Sequence, residues 1–368
     1  MKKRFLGVLL SVAMVAAVLA GCGSSGAKET AAPAGSETEA ASEAASGETE
    51  AAGNTGDVIT VGFSQVGAES DWRTANSESM KSTFSTENGY NLIFDDAQQK
   101  QENQIAAIRN FIQQEVDYIV LAPVTESGWD TVLQEAKDAE IPVIIVDRMV
   151  NVSDDSLYAA WLGSNFKLEG QKACEWLKQY AAAKNMSEVN IVDIQGTIGA
   201  SAQIGRTEAL NEAVEANGWN LLAQQTGEFT QAKGQEVMES MLKQYDNINV
   251  VYCENDNEAF GAIEAIKAAG KTVGPDGDIL VMSFDTTKQG ITDTLSGDII
   301  VNTECNPLHG PRVEQIIKQL QAGETPEKQA YVEEGIYAHG SDVASVSIDG
   351  TDYEVTEVTQ DVVDARAY

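Results

Sequence analysis

The chain has 368 residues, which is about two domains of ordinary size. Its 43% apolar fraction can build full hydrophobic cores, while 57 acidic residues against 24 basic ones leave a net charge of −33. That balance excludes a nucleic-acid partner, which needs a basic footprint, and electrostatic adhesion to an anionic bilayer. The only histidines, His309 and His339, are too few for a His-rich metal centre and leave a Ser-His-Asp triad few bases. No metal and no cofactor are expected.

Lys2, Lys3 and Arg4 precede an uncharged apolar run from Phe5 to Ala20. This is the pattern of a secretory signal, and it falls short of the about 20 apolar residues of a free-standing membrane helix. The run closes on Leu19-Ala20-Gly21-Cys22, which resembles a bacterial lipobox. That resemblance implies cleavage before Cys22 and a lipid on its thiol; an uncleaved anchor with an incidental cysteine is the other reading. Either way the remainder is exported. Losing residues 1–21 removes three basic residues and leaves 21 against 57 acidic, a net charge of −36. Residues 23–56 are almost wholly Ser, Ala, Gly, Glu and Thr, without one aromatic. Such a stretch cannot bury enough surface to offset its chain entropy, and reads as a flexible tether spanning about 30 Å.

From Asp57 onward, short β-branched runs alternate with amphipathic stretches. Strands are expected at 58–65, 91–97, 118–124, 141–148, 157–164, 189–196, 220–227, 249–255, 279–285 and 299–305. Between them lie helical patterns. Over Gln101–Gln114, Ile105, Ile108, Phe111 and Ile112 share a face, and Phe260–Ala269 is stopped by Gly270. Strands that are apolar along their length and separated by helices predict parallel sheets covered on both faces. The expected fold class is α/β, with two doubly wound αβα lobes. The folded part holds Cys174, Cys253 and Cys305 without a CxxC pattern. An odd count leaves at least one thiol free or paired between chains; Cys253 and Cys305 read as buried thiols, and a Cys174–Cys253 bridge stays open.

Ligands of such folds bind beyond the carboxyl ends of the strands. "SQVGAESDWRTAN" after the first strand brings Trp72 and Arg73 into the start of a helix. Asp147-Arg148 follows the fourth strand, "GTIGASAQIGR" ending at Arg206 the sixth, and "GEFTQAKG" with Phe229 the seventh. The eighth ends in Glu254-Asn255-Asp256-Asn257, the ninth at Asp285, the tenth at Glu304-Cys305-Asn306. This set suits a polyol. Each sugar hydroxyl both donates and accepts; Asp, Asn and Glu accept while Arg and Asn donate. An aromatic ring covers the apolar C–H face of a sugar. Singly, each residue is equally a helix N-cap or a surface ion pair, Asp285 above all. The recurrence in both halves is what points to a site.

The phrases "VGFSQVGAESDWRTANSESMKSTF", "DDAQQKQENQIAAIRNFIQQ", "LAPVTESGWDTVLQEAKDA", "IPVIIVDR" and "ECNPLHGP" resemble the sugar-binding proteins of ABC importers. The family is the ribose/galactose class of type I periplasmic binding proteins, and the likeness is greatest to its galactofuranose-binding subfamily. It covers about residues 57–330 and is less clear from Gly340 on. It implies a signal peptide over 1–21 and a lipidated Cys22 with its tether over 22–56. Lobe one would comprise 57–163 plus 305–335, and lobe two 164–304 plus 336–368. A three-segment hinge would fall near Leu162–Ser164, Glu304–Asn306 and Glu334–Ala338. The resemblance makes Trp72 and Arg73 the first-lobe stacking and hydrogen-bonding pair, and Asp147-Arg148 the pair that grips ring hydroxyls. Arg206, Asn255 and Asp285 become second-lobe polar contacts and Phe229 an aromatic wall. Ser64, Gln65 and Val66 form the first ligand-touching loop, and Glu304 or Asn306 lies at the last crossing. Arg73 stands where ribose binders commonly carry a second aromatic, which favours an unusual ligand such as a furanose.

The implied function is capture of a monosaccharide between the lobes and delivery to an ABC permease with its ATPase. The implied protein is a monomer, lipid-anchored on the outer face of the cell membrane, or periplasmic if the cell has an outer membrane. A sensor presenting the sugar to a membrane histidine kinase or chemoreceptor is the alternative. An enzyme using Glu69 or Asp285 is a third reading, not adopted. "GTIGASAQIGR" lacks both the GK[ST] ending and the GxGxxG spacing of a phosphate cradle. Asp95-Asp96 are adjacent on a strand and point to opposite faces, unlike a glycosidase pair.

Overall fold

The computed structural model describes residues 58–368; Cys22, the signal segment and the tether expected before residue 57 lie outside the described residues. The first elements are β1 (Ile59–Gln65), α1 (Asp71–Thr83), β2 (Tyr90–Asp96), α2 (Gln101–Gln113), β3 (Tyr118–Leu121), α3 (Asp130–Asp138), β4 (Val143–Val146) and β5 (Ala160–Gly163). Then come α4 (Phe166–Ala183), β6 (Asn190–Gln195), α5 (Ser201–Asn217), β7 (Asn220–Thr226), α6 (Gln231–Gln244) and β8 (Val250–Cys253). They are followed by α7 (Asp256–Ala268), β9 (Leu280–Asp285), α8 (Lys288–Ser296) and β10 (Val301–Glu304). The remainder is α9 (Gly310–Gln321), β11 (Gln329–Tyr331), β12 (Ile336–Ala338), β13 (Ser345–Ile348), β14 (Thr351–Glu357) and α10 (Gln360–Ala365).

Two sheets result. One runs β11-β5-β4-β3-β1-β2, parallel throughout. The other runs β13-β14-β12-β10-β9-β8-β6-β7, parallel except at β10–β12 and β13–β14. Strand alternation explains why these strands are apolar along their length. In β4, Ile144 and Val146 join the core beneath α1 and α9, while Val143 and Ile145 join the core beneath α2 and α3. The second sheet repeats this, with α4 and α5 over one face and α6 and α7 over the other. The doubly wound architecture expected from the alternation is therefore present in both halves.

The chain passes between the sheets three times: after β5, after β10, and between β11 and β12. Beyond Gly340, where the sequence resembled known relatives least, the structure adds β13, β14 and α10 to the second sheet's edge. The hairpin turns on Asp349 (φ 50°) and Gly350 (φ 80°), a two-residue Asp-Gly turn whose left-handed backbone suits the twist of the strands. Cys174, Cys253 and Cys305 are all free and buried, which closes the question of a Cys174–Cys253 bridge.

The packing is tight at Gly62 in β1, where an added Cβ would lie 2.6 Å from the Phe111 ring. Gly62→Ala is expected to destabilise the fold by about 1–3 kcal/mol, because the ring sits in a filled core and cannot retreat. Urea unfolding checks this, and Gly62→Ala combined with Phe111→Leu should recover part of the loss. A Gly62→Ala protein as stable as the parent would refute the close packing.

Candidate functional site

Strand ends of both sheets converge on one cavity. From the first lobe come Glu69 and Ser70 in the loop after β1, Trp72 and Arg73 in the first turn of α1, and Asp147 and Arg148 directly after β4. From the second come Phe166 at the start of α4, Ala202 and Arg206 in α5, Phe229 after β7, Asn255 after β8 and Asp285 at the end of β9; Cys305 follows β10. The two walls touch directly. The Asp71 N–H donates to Asn257 Oδ1 (3.0 Å), the Glu126 N–H to the Gly199 carbonyl (3.0 Å), and the Met149 N–H to Ser201 Oγ (2.9 Å). The cleft is thus closed.

Local sequence explains how each group is aimed. Ser70 caps α1 by accepting from the Arg73 N–H (3.1 Å), which places Trp72 and Arg73 in the first turn facing the cavity. Asp147 (φ 62°), Phe229 (φ 60°) and Asp285 (φ 100°) all turn into left-handed backbone just as their strands end. Non-glycine residues adopt that conformation at a cost, and here it directs three side chains into one space. Gly196 has no Cβ because the Phe229 ring occupies the place one would take. Trp72, Phe166, Ala200, Ala202, Phe229 and Cys305 form a buried apolar cluster along one wall. The Trp72 indole N–H donates to the Cys305 carbonyl (2.7 Å), so the ring is fixed against the second passage.

The opposite character comes from paired charges. Arg73 donates through Nη2 to Asp147 Oδ2 (2.7 Å), through Nε to Glu69 Oε1 (2.9 Å) and through Nη1 to Gln65 Oε1 (3.2 Å). Burial opposes the charge on Arg73, but Asp147 and Glu69 outweigh it and push its pKa up. Burial would raise Asp147, yet Arg73 and then Arg148 hold the carboxylate below its ordinary range. Arg148 is farther away, with Nε 3.9 Å from Asp147 Oδ2, and burial together with Arg73 depresses it to about 10. The close partner of Asp147 is therefore Arg73, not its sequence neighbour. In the other lobe Arg206 donates to Glu169 Oε2 through Nε (2.8 Å) and Nη2 (2.8 Å), with Asp285 Oδ1 3.7 Å away. Burial pushes the Asp285 carboxyl well up against the opposing pull of Arg206.

Of the twelve positions expected to touch a ligand, Trp72, Arg73, Asp147, Arg148, Arg206, Phe229, Asn255 and Asp285 line the cavity. Asn255 is also the N-cap of α7, accepting from the Glu258 N–H (2.9 Å); Asp285 is not a cap, that role in α8 belonging to Thr287. The other four positions, Ser64, Gln65, Glu304 and Asn306, are not part of that lining. Ser64 and Gln65 end β1 and are buried away from the cavity, where Gln65 holds Arg73 and donates to Asn76 Oδ1 (2.9 Å). Glu304 turns the other way, accepting from Arg366 Nη1 (2.7 Å) and the Tyr368 hydroxyl (2.7 Å). Asn306 is spent on its own turn, accepting from the Leu308 N–H (2.9 Å). Glu69, Ser70, Phe166, Ala202 and Cys305 also line the cavity and were not expected to, since Ser70, Phe166, Ala202 and Cys305 read equally well as cap or core residues. Glu69 at i−4 from Arg73 was the available signal.

A family model described as the periplasmic binding protein domain matches residues 61–303. The galactofuranose-binding protein YtfQ of Escherichia coli is 42% identical over 284 residues, covering 76% of this chain and 87% of that one. A solved structure from Mycobacterium smegmatis in complex with β-D-fucofuranose aligns with a TM-score of 0.73 at 43% identity, covering 76% of this chain and 91% of that one. The arabinose-transporter binding protein of Shewanella sp. ANA-3, bound to α- and β-L-arabinofuranose, aligns with a TM-score of 0.71 at 42% identity, covering 76% and 92%.

The second lobe also carries buried carboxyls without cations. Burial lifts Asp193 to about 7 and Asp256 to about 6, and lifts Glu254 and Glu258 well up. A carboxyl raised in the folded state binds its proton more tightly there, so its contribution to stability is complete below the unfolded value near 4. That contribution is lost as pH rises through the folded value. Urea stability is expected to fall between about pH 5 and pH 7 by on the order of 1 kcal/mol per pH unit for each such proton. Asp193→Asn should flatten that slope. A parent protein whose stability rises over this range would contradict the assignment.

Proposed function

The chain belongs to the periplasmic binding protein family, and from that premise we infer that it is the sugar-capturing component of an ABC importer. The observation that carries this is the cavity itself: forked cations and carboxylates from both lobes around a space walled on one side by Trp72, Phe166 and Phe229. Enclosed by side chains of both lobes, it suits one small polar molecule rather than an oligosaccharide. The ligand we propose is a monosaccharide in five-membered-ring form, galactofuranose or a close relative. The support is that relatives at 42–43% identity are described with galactofuranose, fucofuranose and arabinofuranose.

Each lobe carries half of the contacts. Arg73, Asp147 and Arg148 are preset in the first by their mutual pairing, and Arg206, Asn255 and Asp285 in the second. A ligand that touches both halves stabilises the closed form over the open one, and that difference is what drives closure. The charged Asp147 accepts from sugar hydroxyls. Asp285, whose carboxyl burial pushes up against the pull of Arg206, faces the same space from the second lobe. The guanidinium groups donate in fixed directions. In this reading the protein binds without turnover, acts as a monomer, and is held at the outer face of the membrane by a lipid on Cys22. A partner permease with its ATPase receives the sugar. A sensory role is not favoured, since relatives matched over most of the chain are named as import binding proteins.

A thermal-shift series against L-arabinose, D-fucose, D-galactose and their pyranose-locked methyl glycosides tests the reading. A true ligand at a hundredfold above its Kd stabilises by about 2.7 kcal/mol, so the sugars able to form furanose rings should shift the midpoint while the locked forms do not. No shift with any of them would sink the furanose assignment. Asp147→Ala is expected to weaken sugar binding by about 2 kcal/mol, roughly thirtyfold, because Arg73 loses its 2.7 Å partner inside the protein. Unchanged affinity by calorimetry would remove Asp147 from the site.

A further inference from the structure

Glu334 lies between β11 and β12, in the third passage between the sheets. Its Oε1 accepts from Ser164 Oγ (2.6 Å) in the first passage and from the Asn306 N–H (2.8 Å) in the second. One carboxyl oxygen thus ties all three passages together. Beside it stands Glu169 of α4, whose Oε2 is engaged by Arg206 and whose Oε1 is buried with no hydrogen-bond partner. Carboxylate oxygens of Glu169 and Glu334 and the Cys305 sulfur lie within 4.8 Å of one another. A buried acceptor that faces a second carboxylate has one simple remedy, a proton held between them.

The groups facing the pair are Arg206 from α5, Lys172 from α4, Glu304 and Cys305 at the end of β10, and Asp285 from β9. Arg206 and Lys172 favour the ionised form of Glu169, and burial and the facing carboxyl oppose them. Burial is the first cause that raises both carboxyls; Arg206 opposes it at Glu169, whereas Glu169 itself adds to it at Glu334.

We propose that Glu169 and Glu334 share one proton at the hinge, that this proton holds the closed form, and that sugar capture therefore takes up a proton from solvent. This rests on the sugar-binding reading above, through Arg206. With the proton present, Glu334 keeps its hold on Ser164 and Asn306, and Glu169 keeps Arg206 against the cavity. Without it, two anions face each other at the point where the passages meet. Opening admits water and returns the pair towards the ordinary carboxyl range, releasing the proton. Both residues are positioning residues, since neither lines the cavity.

The test uses the full chain and its Glu334→Gln variant. Glutamine keeps the acceptor for Ser164 and Asn306 and offers Glu169 Oε1 a permanent N–H, imitating the protonated pair. Infrared difference spectra of sugar-bound against sugar-free protein should show a protonated-carboxyl band appearing in the parent at neutral pH that Glu334→Gln lacks. Calorimetry with L-arabinose in buffers of different ionisation heat should show proton uptake on binding by the parent. Parental affinity should fall by up to about tenfold per pH unit above the pair's titration. Glu334→Gln should bind with no uptake from the pair and a flat profile. Identical infrared spectra and identical pH profiles in the two proteins would overturn the proposal. If the parent binds no L-arabinose, the sugar reading fails separately, and small-angle scattering without sugar decides the pair: the parent should close as pH falls while Glu334→Gln keeps one radius, and equal behaviour of the two would overturn the proposal.

Discussion

Guanidinium groups buried against carboxylates are the constraint on which the cleft depends. Arg73 with Asp147 and Glu69, and Arg206 with Glu169, are all shielded from water. Burying such charges is costly, and their mutual attraction offsets the loss only when geometry is tight and the remaining donors are satisfied. Here they are: Arg73 also reaches Gln65, and Arg206 also donates to the Glu254 carbonyl. Pairs of this kind contribute little to stability. Their effect is to lock each half-site before a ligand arrives, so that little binding energy is lost to ordering.

The same half-sites store backbone strain. Asp147, Phe229 and Asp285 leave their strands in left-handed conformation, and each such turn costs of order 1 kcal/mol or more. The sheets that hold them offset this, being covered on both faces by close-packed apolar side chains. Rigid strands and strained ends divide the labour: the core fixes where the chain stops, and the turn decides where the side chain points.

The passages between the lobes belong to the same system. Trp72 is anchored on the carbonyl of Cys305, Glu334 joins the three passages, and Arg366 and Tyr368 close over Glu304. The passages thus meet the cavity wall directly at the indole, through a hydrogen bond that runs through neither core.

Strand positions and doubly wound layering were legible in the chain because apolar runs and helical spacing are local and repeat ten times before residue 306. The Asp349-Gly350 turn is a local signal of the same kind, two residues suited to left-handed backbone between alternating strands. The cavity residues that follow strands, from Asp147 to Asp285, could be found because the fold class alone says where strands end and ligands sit. Phe166 and Cys305 could not, since such side chains read as core until the fold sets them on the cavity wall, and Glu69 was marked only by its spacing four residues before Arg73. Residue types and their spacing determined the lobes and the kind of chemistry at their rims. Which carboxylate meets which guanidinium, why Gln65 supports rather than touches, and why Glu304 faces Arg366 were decided by folding, because partners 8, 74 and 62 residues apart are neighbours in space only after the sheets and passages have formed.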